Sequence, residues 1–169
     1  MVPVVVALGS NVGDSLRYLR QATESLRELL SEMTASPIYQ TAPMYVQDQP
    51  PFLNAAVAGL TELGPLKLLA ALKSIEEEIG REKRERYGPR EIDLDLVSYG
   101  SLAYRGPQLQ VPHVKTPERR FVLLPMSDVS PGLRLATMGT VEELLTQTES
   151  QAEDVVPIED ALLPISGYR

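Results

Sequence analysis

The most informative part of the sequence is Gly80–Gly100, GREKRERYGPREIDLDLVSYG. It opens on a glycine suited to end a helix, passes through a basic turn with Gly88, and continues as an alternating run over residues 92–99. Because successive side chains of a strand point to opposite faces, Asp93 and Asp95 share one face and the apolar residues beside them point into the core. The stretch therefore predicts a helix end, a loop and a strand that carries two carboxylates.

The segments before this stretch alternate between strand and helix patterns. The predicted elements are a strand at Pro3–Leu8, a helix with an apolar face from Leu16 to Met33, strands at Ser36–Thr41 and Leu53–Leu60, a helix from Pro65 to Ile79, and a strand at Ile92–Tyr99. This order is typical of the ferredoxin-like βαββαβ core, an α+β fold whose mostly antiparallel sheet carries both helices on one face. Short helical additions are predicted near Glu118–Leu124 and, from a capping box, at Thr140–Glu143.

Length and composition set the class of protein. The 169 residues show no linker or internal repeat, so we expect one domain over 1–169, with an acidic tail from about residue 148. No cysteine and one histidine exclude disulfides, thiolate sites and multi-histidine metal sites, which leaves oxygen ligands and favours magnesium or manganese. The apolar start is too short for a membrane span and lacks a basic leader, so a cytoplasmic location and no membrane partner are expected.

The charge is distributed unevenly. The net charge of −7 argues against a nucleic-acid partner held through phosphates. Residues 81–120, however, contain nine Lys and Arg against six Asp and Glu. The cations are therefore concentrated around the stretch that carries the two aspartates.

Paired carboxylates after a basic loop suggest a site for metal-bound polyphosphate. Same-face neighbours on a strand lie about 7 Å apart, and two such carboxylates can each reach one of two metal ions that are about 3.5–4 Å apart. Guanidinium groups can stabilise the remaining phosphate charge with bidentate geometry. The other interpretation is a solvated strand face beside a solubilising turn, and the residues alone leave both open. The basic residues concerned are Arg81, Lys83, Arg84, Arg86 and Arg90.

The lone histidine and the scarce aromatic residues are further candidates. His113 could donate to a phosphate or be a simple loop residue, and without a second histidine it is discounted as a catalytic base. Tyr87, Phe52 and Phe121 could stack on a flat heterocycle, although the two phenylalanines could equally be core residues. Walker A, G-x-G-x-x-G and kinase signatures are absent from the sequence.

Four blocks of sequence carry a resemblance to a known family. They are ALGSN at 7–11, QDQPPFLNAAV at 47–57, GR…RYGPREIDLDL at 80–96 and VPH…ERRFVLLPM at 111–126. With these blocks in this order, the chain resembles the 6-hydroxymethyl-7,8-dihydropterin pyrophosphokinase family of folate biosynthesis. The resemblance implies transfer of the β,γ-pyrophosphoryl group of ATP to the pterin hydroxymethyl oxygen, with release of AMP.

The resemblance also assigns roles to residues. It implies that Asp93 and Asp95 ligate two Mg²⁺ ions that bridge the triphosphate of the co-substrate ATP, and that Arg81 and Arg90 assist catalysis. The implied pterin site is Thr41, Ala42, Met44, Phe52, Asn54, Tyr87 and Phe121. The implied ATP site is Leu69, Lys73, Glu76, Lys83, Arg84, Arg86, Leu96, Gln110, His113 and Arg119. The expected partners are ATP and the pterin, and the expected state is a monomer, with a dimer as the alternative.

Some positions depart from the family pattern. Tyr87 stands where a tryptophan is common, Phe52 where a tyrosine often occurs, Lys73 where glutamine is expected and Gln108 where an arginine can occur. Two alternatives compete with the function that the resemblance implies. One is a two-metal nucleotidyl transferase or cyclase on the same fold, and the other is a non-catalytic RNA-binding module, which the acidic charge disfavours.

Overall fold

The computed structural model describes residues 1–43, 45, 48–81 and 89–162. The elements in chain order are β1 (Val2–Ser10), α1 (Ser15–Leu26), β2 (Ser31–Ala35), β3 (Tyr39–Thr41), β4 (Phe52–Thr61), α2 (Pro65–Ile79), β5 (Asp93–Tyr99), β6 (Tyr104–Arg105), β7 (Gln110–Val111), α3 (Arg120–Val129), β8 (Arg134–Leu135), β9 (Gly139–Thr140), α4 (Val141–Gln147) and β10 (Val155–Pro157). Two 3₁₀-helices lie at Thr116–Glu118 and Glu149–Asp154. No helix within these described ranges is long and apolar enough to cross a membrane.

The main sheet confirms the predicted α+β architecture. Its strand order is β10-β3-β4-β1-β5, with β2 also pairing with β4. Each of these pairings is antiparallel. Along the chain the elements follow the βαββαβ pattern expected from the sequence. The first strand is β1, the second consists of β2 and β3, the third is β4 and the fourth is β5, with α1 after the first strand and α2 after the third.

Helices cover both faces of the sheet. On one face α1 and α2 pack on Val4, Val6 and Leu8 of β1, as predicted for the two helices of the core pattern. On the other face α3 and α4 pack on Val5 and Ala7 of the same strand. The continuous apolar run of β1 is thereby explained, since its side chains are buried alternately under each helical layer.

The first helix is shorter than predicted. It ends at Leu26, whereas the apolar periodicity suggests a helix that continues to Met33. Leu29 and Met33 still pack against the core, but from a turn and from β2. The helix is capped at Arg27 and followed by a turn, and Glu32, the second residue of β2, has a φ of 51° that an α-helix cannot accommodate.

The predicted second strand is also shorter than expected. β2 ends at Ala35 and β3 begins at Tyr39, with Pro37 between them. Proline cannot donate to a strand ladder, and the hydroxyl of Ser36 instead accepts the backbone N–H of Ala56 at 2.9 Å. Of the predicted Ser36–Thr41 strand, Tyr39–Thr41 is therefore confirmed, and β2 is an additional strand before it.

The later elements agree better with the sequence. Helix α2 begins at Pro65 and is ended by Gly80, which has a φ of 109°, as predicted. The capping box of α4 is confirmed, with the Thr140 hydroxyl accepting the Glu143 backbone N–H. The helix predicted near Glu118–Leu124 begins later and ends later, as α3. Residues 155–157 pair with β3 as an edge strand, which the weak periodicity of the tail does not indicate.

Candidate active site

One row of the sheet brings the predicted pterin and metal residues together. Gly9 of β1 pairs with Asn54 of β4 on one side and with Asp93 of β5 on the other. Two residues before Gly9 on β1, Ala7 pairs with Asp95. Because neighbouring strands are about 4.8 Å apart, Asn54 and Asp93 lie about two strand spacings from each other. β1 therefore separates the two halves of the candidate site.

A cavity of about 350 Å³ opens above this row. Its walls come from the main sheet, from the start of α3 and from the segment between β7 and α3. Its lining residues are Ala7, Leu8, Gly9, Thr41, Ala42, Tyr45, Gln49, Phe52, Asn54, Arg90, Asp93, Asp95, Gln110, His113, Val114, Lys115, Arg119, Phe121 and Val122. The cavity thus combines apolar and aromatic walls with a few convergent polar groups, which is the usual character of a ligand site.

The two aspartates of β5 form the acidic side of the cavity. Burial and the nearby charge of Asp93 raise the pKa of Asp95 to about 7, against the opposing effect of Lys73 and Arg119. Arg81, directly after the glycine that ends α2, lies with its Nη2 3.5 Å from Oδ1 of Asp93. The site therefore holds two mutually repelling carboxylates with cationic side chains around them.

The buried carboxylate of Glu76 contacts the strand that carries these two aspartates. Glu76 of α2 has a side chain that is only 3% exposed, and its Oε1 lies 3.4 Å from Nζ of Lys73 and 3.6 Å from Nη1 of Arg81. Its Oε2 accepts the backbone N–H of Leu94 at 2.7 Å. Burial and the charge of Asp93 raise the pKa of Glu76, while this N–H and the two cations lower it. Glu76 thus joins α2 to the strand between the two aspartates.

The opposite side of the cavity offers two buried polar atoms. The hydroxyl of Thr41 and Oδ1 of Asn54 are buried, and neither has a hydrogen-bond partner among the residues that the structure describes. A buried polar atom without a partner is costly, so both are suited to a ligand that carries N–H groups. Phe52 and Phe121 line the same region and can flank a flat ring.

Gly9 makes room for the Asn54 side chain. A Cβ atom at position 9 would lie 2.9 Å from Nδ2 of Asn54 and 3.8 Å from a ring carbon of Phe52. The first distance is shorter than a normal contact between side chains. Only glycine therefore lets the amide occupy its position over the central strand.

Tyr45 connects the chain after β3 to the basic wall of the cavity. Its hydroxyl donates to Oε1 of Glu118 at 2.8 Å and accepts from Nε of Arg119 at 3.2 Å. The Tyr45 ring also lies 5.0 Å from Nζ of Lys115 and 5.3 Å from the guanidinium carbon of Arg119. The guanidinium of Arg119 is 5.7 Å from the Phe121 ring centre. These contacts hold the two cations beside the aromatic side chains.

His113 lies on the same wall. Burial and the charge of Arg119 lower the pKa of His113, against the effect of Asp93. Its Nδ1 is 3.3 Å from the backbone N–H of Lys115, which donates to it. These surroundings favour the neutral ring, so His113 can accept or donate a hydrogen bond at the cavity wall without carrying a charge.

The cavity brings together most of the described residues that the sequence singles out. Those lining it are Thr41, Ala42, Phe52, Asn54, Arg90, Asp93, Asp95, Gln110, His113, Arg119 and Phe121. Arg81 does not line the cavity but contacts Asp93, which does. Lys73 and Glu76 form an ion pair outside the cavity lining, and Glu76 also contacts Arg81. Leu69 packs against the core on the α1–α2 face, and Leu96 is buried in that core. Met44, Lys83, Arg84, Arg86 and Tyr87 lie outside the described residues.

Sequence reasoning missed several residues of the cavity wall, including Tyr45, Gln49 and Lys115. Gln49 lies within the block QDQPPFLNAAV at 47–57, and its place in that block is the signal that could have identified it as a site residue. Tyr45 contacts residues more than 70 positions away in the chain. Such contacts leave no local pattern.

Comparison with known proteins places the chain in a family. The model of the 7,8-dihydro-6-hydroxymethylpterin-pyrophosphokinase (HPPK) family matches residues 5–131. The chain belongs to the HPPK family. A relative from Pseudomonas aeruginosa, 2-amino-4-hydroxy-6-hydroxymethyldihydropteridine pyrophosphokinase, is 38% identical, and the match covers 91% of this chain and 96% of the relative. The Bacillus subtilis protein of the same name is 39% identical over 89% of this chain and 86% of the relative.

Other HPPK-family relatives are longer. The mitochondrial folate synthesis bifunctional protein of Pisum sativum is 50% identical over 75% of this chain, a match that spans 25% of the plant protein. The crystal structure of a Plasmodium falciparum HPPK-DHPS triple mutant superposes with a TM-score of 0.72 at 16% identity, over 90% of this chain and 44% of that protein. At this identity the superposition shows the shared α+β fold. The cytoplasmic location stays a prediction, since the plant relative is named as mitochondrial.

Proposed function

We propose that this chain transfers the β,γ-pyrophosphoryl group of ATP to the hydroxymethyl oxygen of 6-hydroxymethyl-7,8-dihydropterin, with release of AMP. The observation that carries the proposal is the single sheet row in which Gly9 lies between Asn54 and Asp93. It sets an amide oxygen that has no hydrogen-bond partner among the described residues on one side of β1 and a pair of carboxylates on the other. Membership of the HPPK family supports the same reaction.

The pterin half is suited to a flat, nitrogen-rich ring. Thr41 and Asn54 supply buried acceptors without partners among the described residues, and pterin rings carry N–H donors. Phe52 and Phe121 supply apolar faces for stacking. We assign recognition of the ring edge to Asn54 and stacking to the two aromatic side chains.

The metal half is suited to magnesium. Asp93 and Asp95 offer oxygen ligands on one strand face. Burial and the charge of Asp93 raise the pKa of Asp95 to about 7, so a divalent cation there would relieve an existing repulsion. The described residues contain no cluster of three or more acidic or histidine ligands, so phosphate oxygens and water would complete the coordination, as Mg²⁺ prefers. We propose that these two aspartates hold two Mg²⁺ ions, which when bound neutralise and orient the triphosphate.

The basic side chains around the cavity complete the phosphate site. Arg90 and Arg119 line the cavity directly, and Arg81 approaches from the end of α2. Guanidinium groups bind phosphate oxygens in bidentate fashion and keep their charge, so they stabilise the charge that moves onto the α-phosphate as AMP leaves. We assign Arg81 and Arg90 to catalysis and Arg119 to ATP binding.

The reaction needs positioning more than covalent chemistry. The hydroxymethyl oxygen attacks the β-phosphorus, the bond between that phosphorus and the oxygen of AMP breaks, and the hydroxyl proton is released. Transfer of this kind is catalysed mainly by alignment and charge stabilisation. A rigid sheet row that fixes Asn54 relative to Asp93 supplies that alignment.

The deciding experiment is an assay of AMP formation from ATP and Mg²⁺, with and without 6-hydroxymethyl-7,8-dihydropterin. We expect AMP release that depends on the pterin and is lost in Asp95→Ala. Release without the pterin, pyrophosphate as the product, or no release would overturn the proposal, and pyrophosphate would support a nucleotidyl transferase instead. The expected monomer state is checked separately by light scattering.

A further inference from the structure

Asn11 is a buried side chain that ties three segments together. It follows β1 directly and is 4% exposed. Its Nδ2 donates to Oε1 of Gln49 and to the backbone oxygen of Pro50, both at 2.9 Å. Its Oδ1 accepts the backbone N–H of Arg90 at 2.8 Å, and its own backbone N–H donates to the Arg90 oxygen at 2.9 Å. One amide therefore bonds both to the segment before β4 and to the segment before β5.

The two segments belong to different halves of the site. Gln49 and Pro50 lead directly into the pterin residues of β4, and the Gln49 side chain lines the cavity. Arg90 lines the cavity beside Asp93 and Asp95. The Asn11 side chain itself is absent from the cavity wall among the described residues. Its influence on the reaction must therefore pass through the groups that it holds.

Only a primary amide can make this set of contacts. The side chain donates two hydrogen bonds and accepts one, and every partner is a backbone or amide group. Aspartate has the same shape and could still accept from Arg90, but it would present an oxygen to the backbone carbonyl of Pro50, which can only accept. Gln49 can turn its amide and donate to that oxygen. Asn11→Asp thus removes the contact to Pro50 and keeps the contact to Arg90, while Gln49→Ala removes the contact to Gln49.

We propose that Asn11 is a positioning residue that couples Gln49 and Pro50 on the pterin side to Arg90 in the phosphate half of the site. The proposal rests on the proposed function and adds a dependence between the two halves. A pterin bound against β4 fixes Gln49 and Pro50, and through Asn11 this fixes the backbone of Arg90. By the same bonds, ATP held by Arg90 favours the position of Gln49 that receives the pterin. Coupling of this kind is reciprocal.

The test is a measurement of coupling between the two ligands. Isothermal titration gives the affinity for α,β-methylene-ATP with Mg²⁺, in the presence and absence of the pterin, and the ratio of the two dissociation constants is the coupling factor. Typical coupling factors are about 5- to 150-fold, and we expect a value in this range for the unsubstituted chain. We expect Asn11→Asp to bring the factor towards one and to lower kcat about 10- to 100-fold through misplacement of Arg90.

Two further variants separate coupling from general damage. Gln49→Ala removes one contact, leaves Asn11 in place and is expected to reduce the coupling factor in the same direction, even if Asn11→Asp fails to fold. Gln21→Glu is the control, because Gln21 is exposed on α1 and does not line the cavity. It makes the same change of amide to carboxylate and should leave the coupling factor unchanged.

The outcomes distinguish this proposal from the proposed function. If the unsubstituted chain releases AMP with the pterin and its coupling factor is one, the coupling proposal is wrong and the function stands. The coupling proposal is equally wrong if Asn11→Asp and Gln49→Ala weaken both affinities but keep the factor. If the unsubstituted chain shows no pterin-dependent AMP release, both proposals fall together.

Discussion

Oε2 of Glu76 accepts a 2.7 Å hydrogen bond from the backbone N–H of Leu94, the residue between Asp93 and Asp95. β5 is the end strand of its sheet, so this N–H faces away from β1 and would otherwise lack a strand partner. A carboxylate from α2 therefore replaces the missing strand at this point. It fixes the segment that carries both aspartates and, through Arg81, also contacts the charge of Asp93.

The first prediction concerns Glu76. Glu76→Ala leaves the Leu94 N–H buried without an acceptor, which costs about 1–3 kcal/mol. We expect the free energy of unfolding, measured by urea denaturation, to fall by this amount, and AMP formation to fall with it because Asp93 and Asp95 lose their support. Glu76→Gln keeps an acceptor for Leu94 and should retain more stability than Glu76→Ala.

The neighbouring Glu77 provides the control for this prediction. It stands on the same helix and is exposed, so Glu77→Ala should change neither the free energy of unfolding nor the activation free energy by more than about 0.5 kcal/mol. Equal losses in the Glu76 and Glu77 variants would show that helix α2 is sensitive to any substitution and that the Leu94 contact has no special role.

The position of Glu76 also marks where sequence reasoning ends. The resemblance places Glu76 along ATP, and that role stays a prediction. The structure surrounds its carboxylate with Lys73, Arg81 and the N–H of Leu94. Alternation along a strand suffices to put Asp93 and Asp95 on one face. The partner of a strand-edge N–H depends on how a helix packs against that edge, which no local pattern records.

Helix α1 shows the same limit of prediction from the sequence. Apolar spacing continues past Leu26 through Leu29 to Met33, and all three positions do pack against the core. The periodicity is real, but the backbone that carries it changes from helix to turn to strand. What the pattern could not indicate is the end of the helix at Leu26 or the φ of 51° at Glu32 within β2. Which residues are buried is thus easier to predict from the sequence than whether they lie in a helix, a turn or a strand.

A second prediction concerns Gly9. Gly9→Ala would place a methyl group 2.9 Å from Nδ2 of Asn54, so the amide must move from the row it shares with Asp93. We expect the KM for the pterin to rise about 10-fold or more, a loss of about 1.4 kcal/mol, with a much smaller change in the KM for ATP. Steady-state kinetics with each substrate varied in turn gives both values.

Gly64→Ala is the matched control for Gly9→Ala. A Cβ at Gly64 would meet nothing within 4 Å, and this glycine directly precedes α2 and does not line the cavity. The kinetic constants of the Gly64→Ala variant should equal those of the unsubstituted chain. An unchanged pterin KM in Gly9→Ala would remove Asn54 from the pterin site or show that its amide accommodates the methyl group.

A third prediction separates stability from activity at Asp95. Burial and the charge of Asp93 disfavour the ionised side chain and raise the pKa of Asp95 to about 7. Asp95→Asn removes that repulsion and keeps the shape, so the unliganded protein should be at least as stable as the unsubstituted chain in thermal unfolding. AMP formation should nevertheless be lost, since the variant lacks one of the two proposed Mg²⁺ ligands. Retained turnover at saturating Mg²⁺ would contradict the metal assignment.

The last prediction concerns the Tyr45 hydroxyl, which joins Glu118 to Arg119. Tyr45→Phe keeps the ring beside Lys115 and Arg119 but removes both hydrogen bonds, and a hydrogen bond to a charged group contributes about 1.5–3 kcal/mol. Because both charged partners stay partly in contact with water, we expect an effect at the low end, a rise of about 10-fold in the KM for ATP. Tyr45→Ala, which also removes the ring, should raise the KM further. Tyr104→Phe, at a tyrosine that is 46% exposed on β6, is the control and should have no effect. If Tyr45→Phe and Tyr104→Phe gave the same KM, the hydroxyl would have no part in holding Arg119 at the phosphate site.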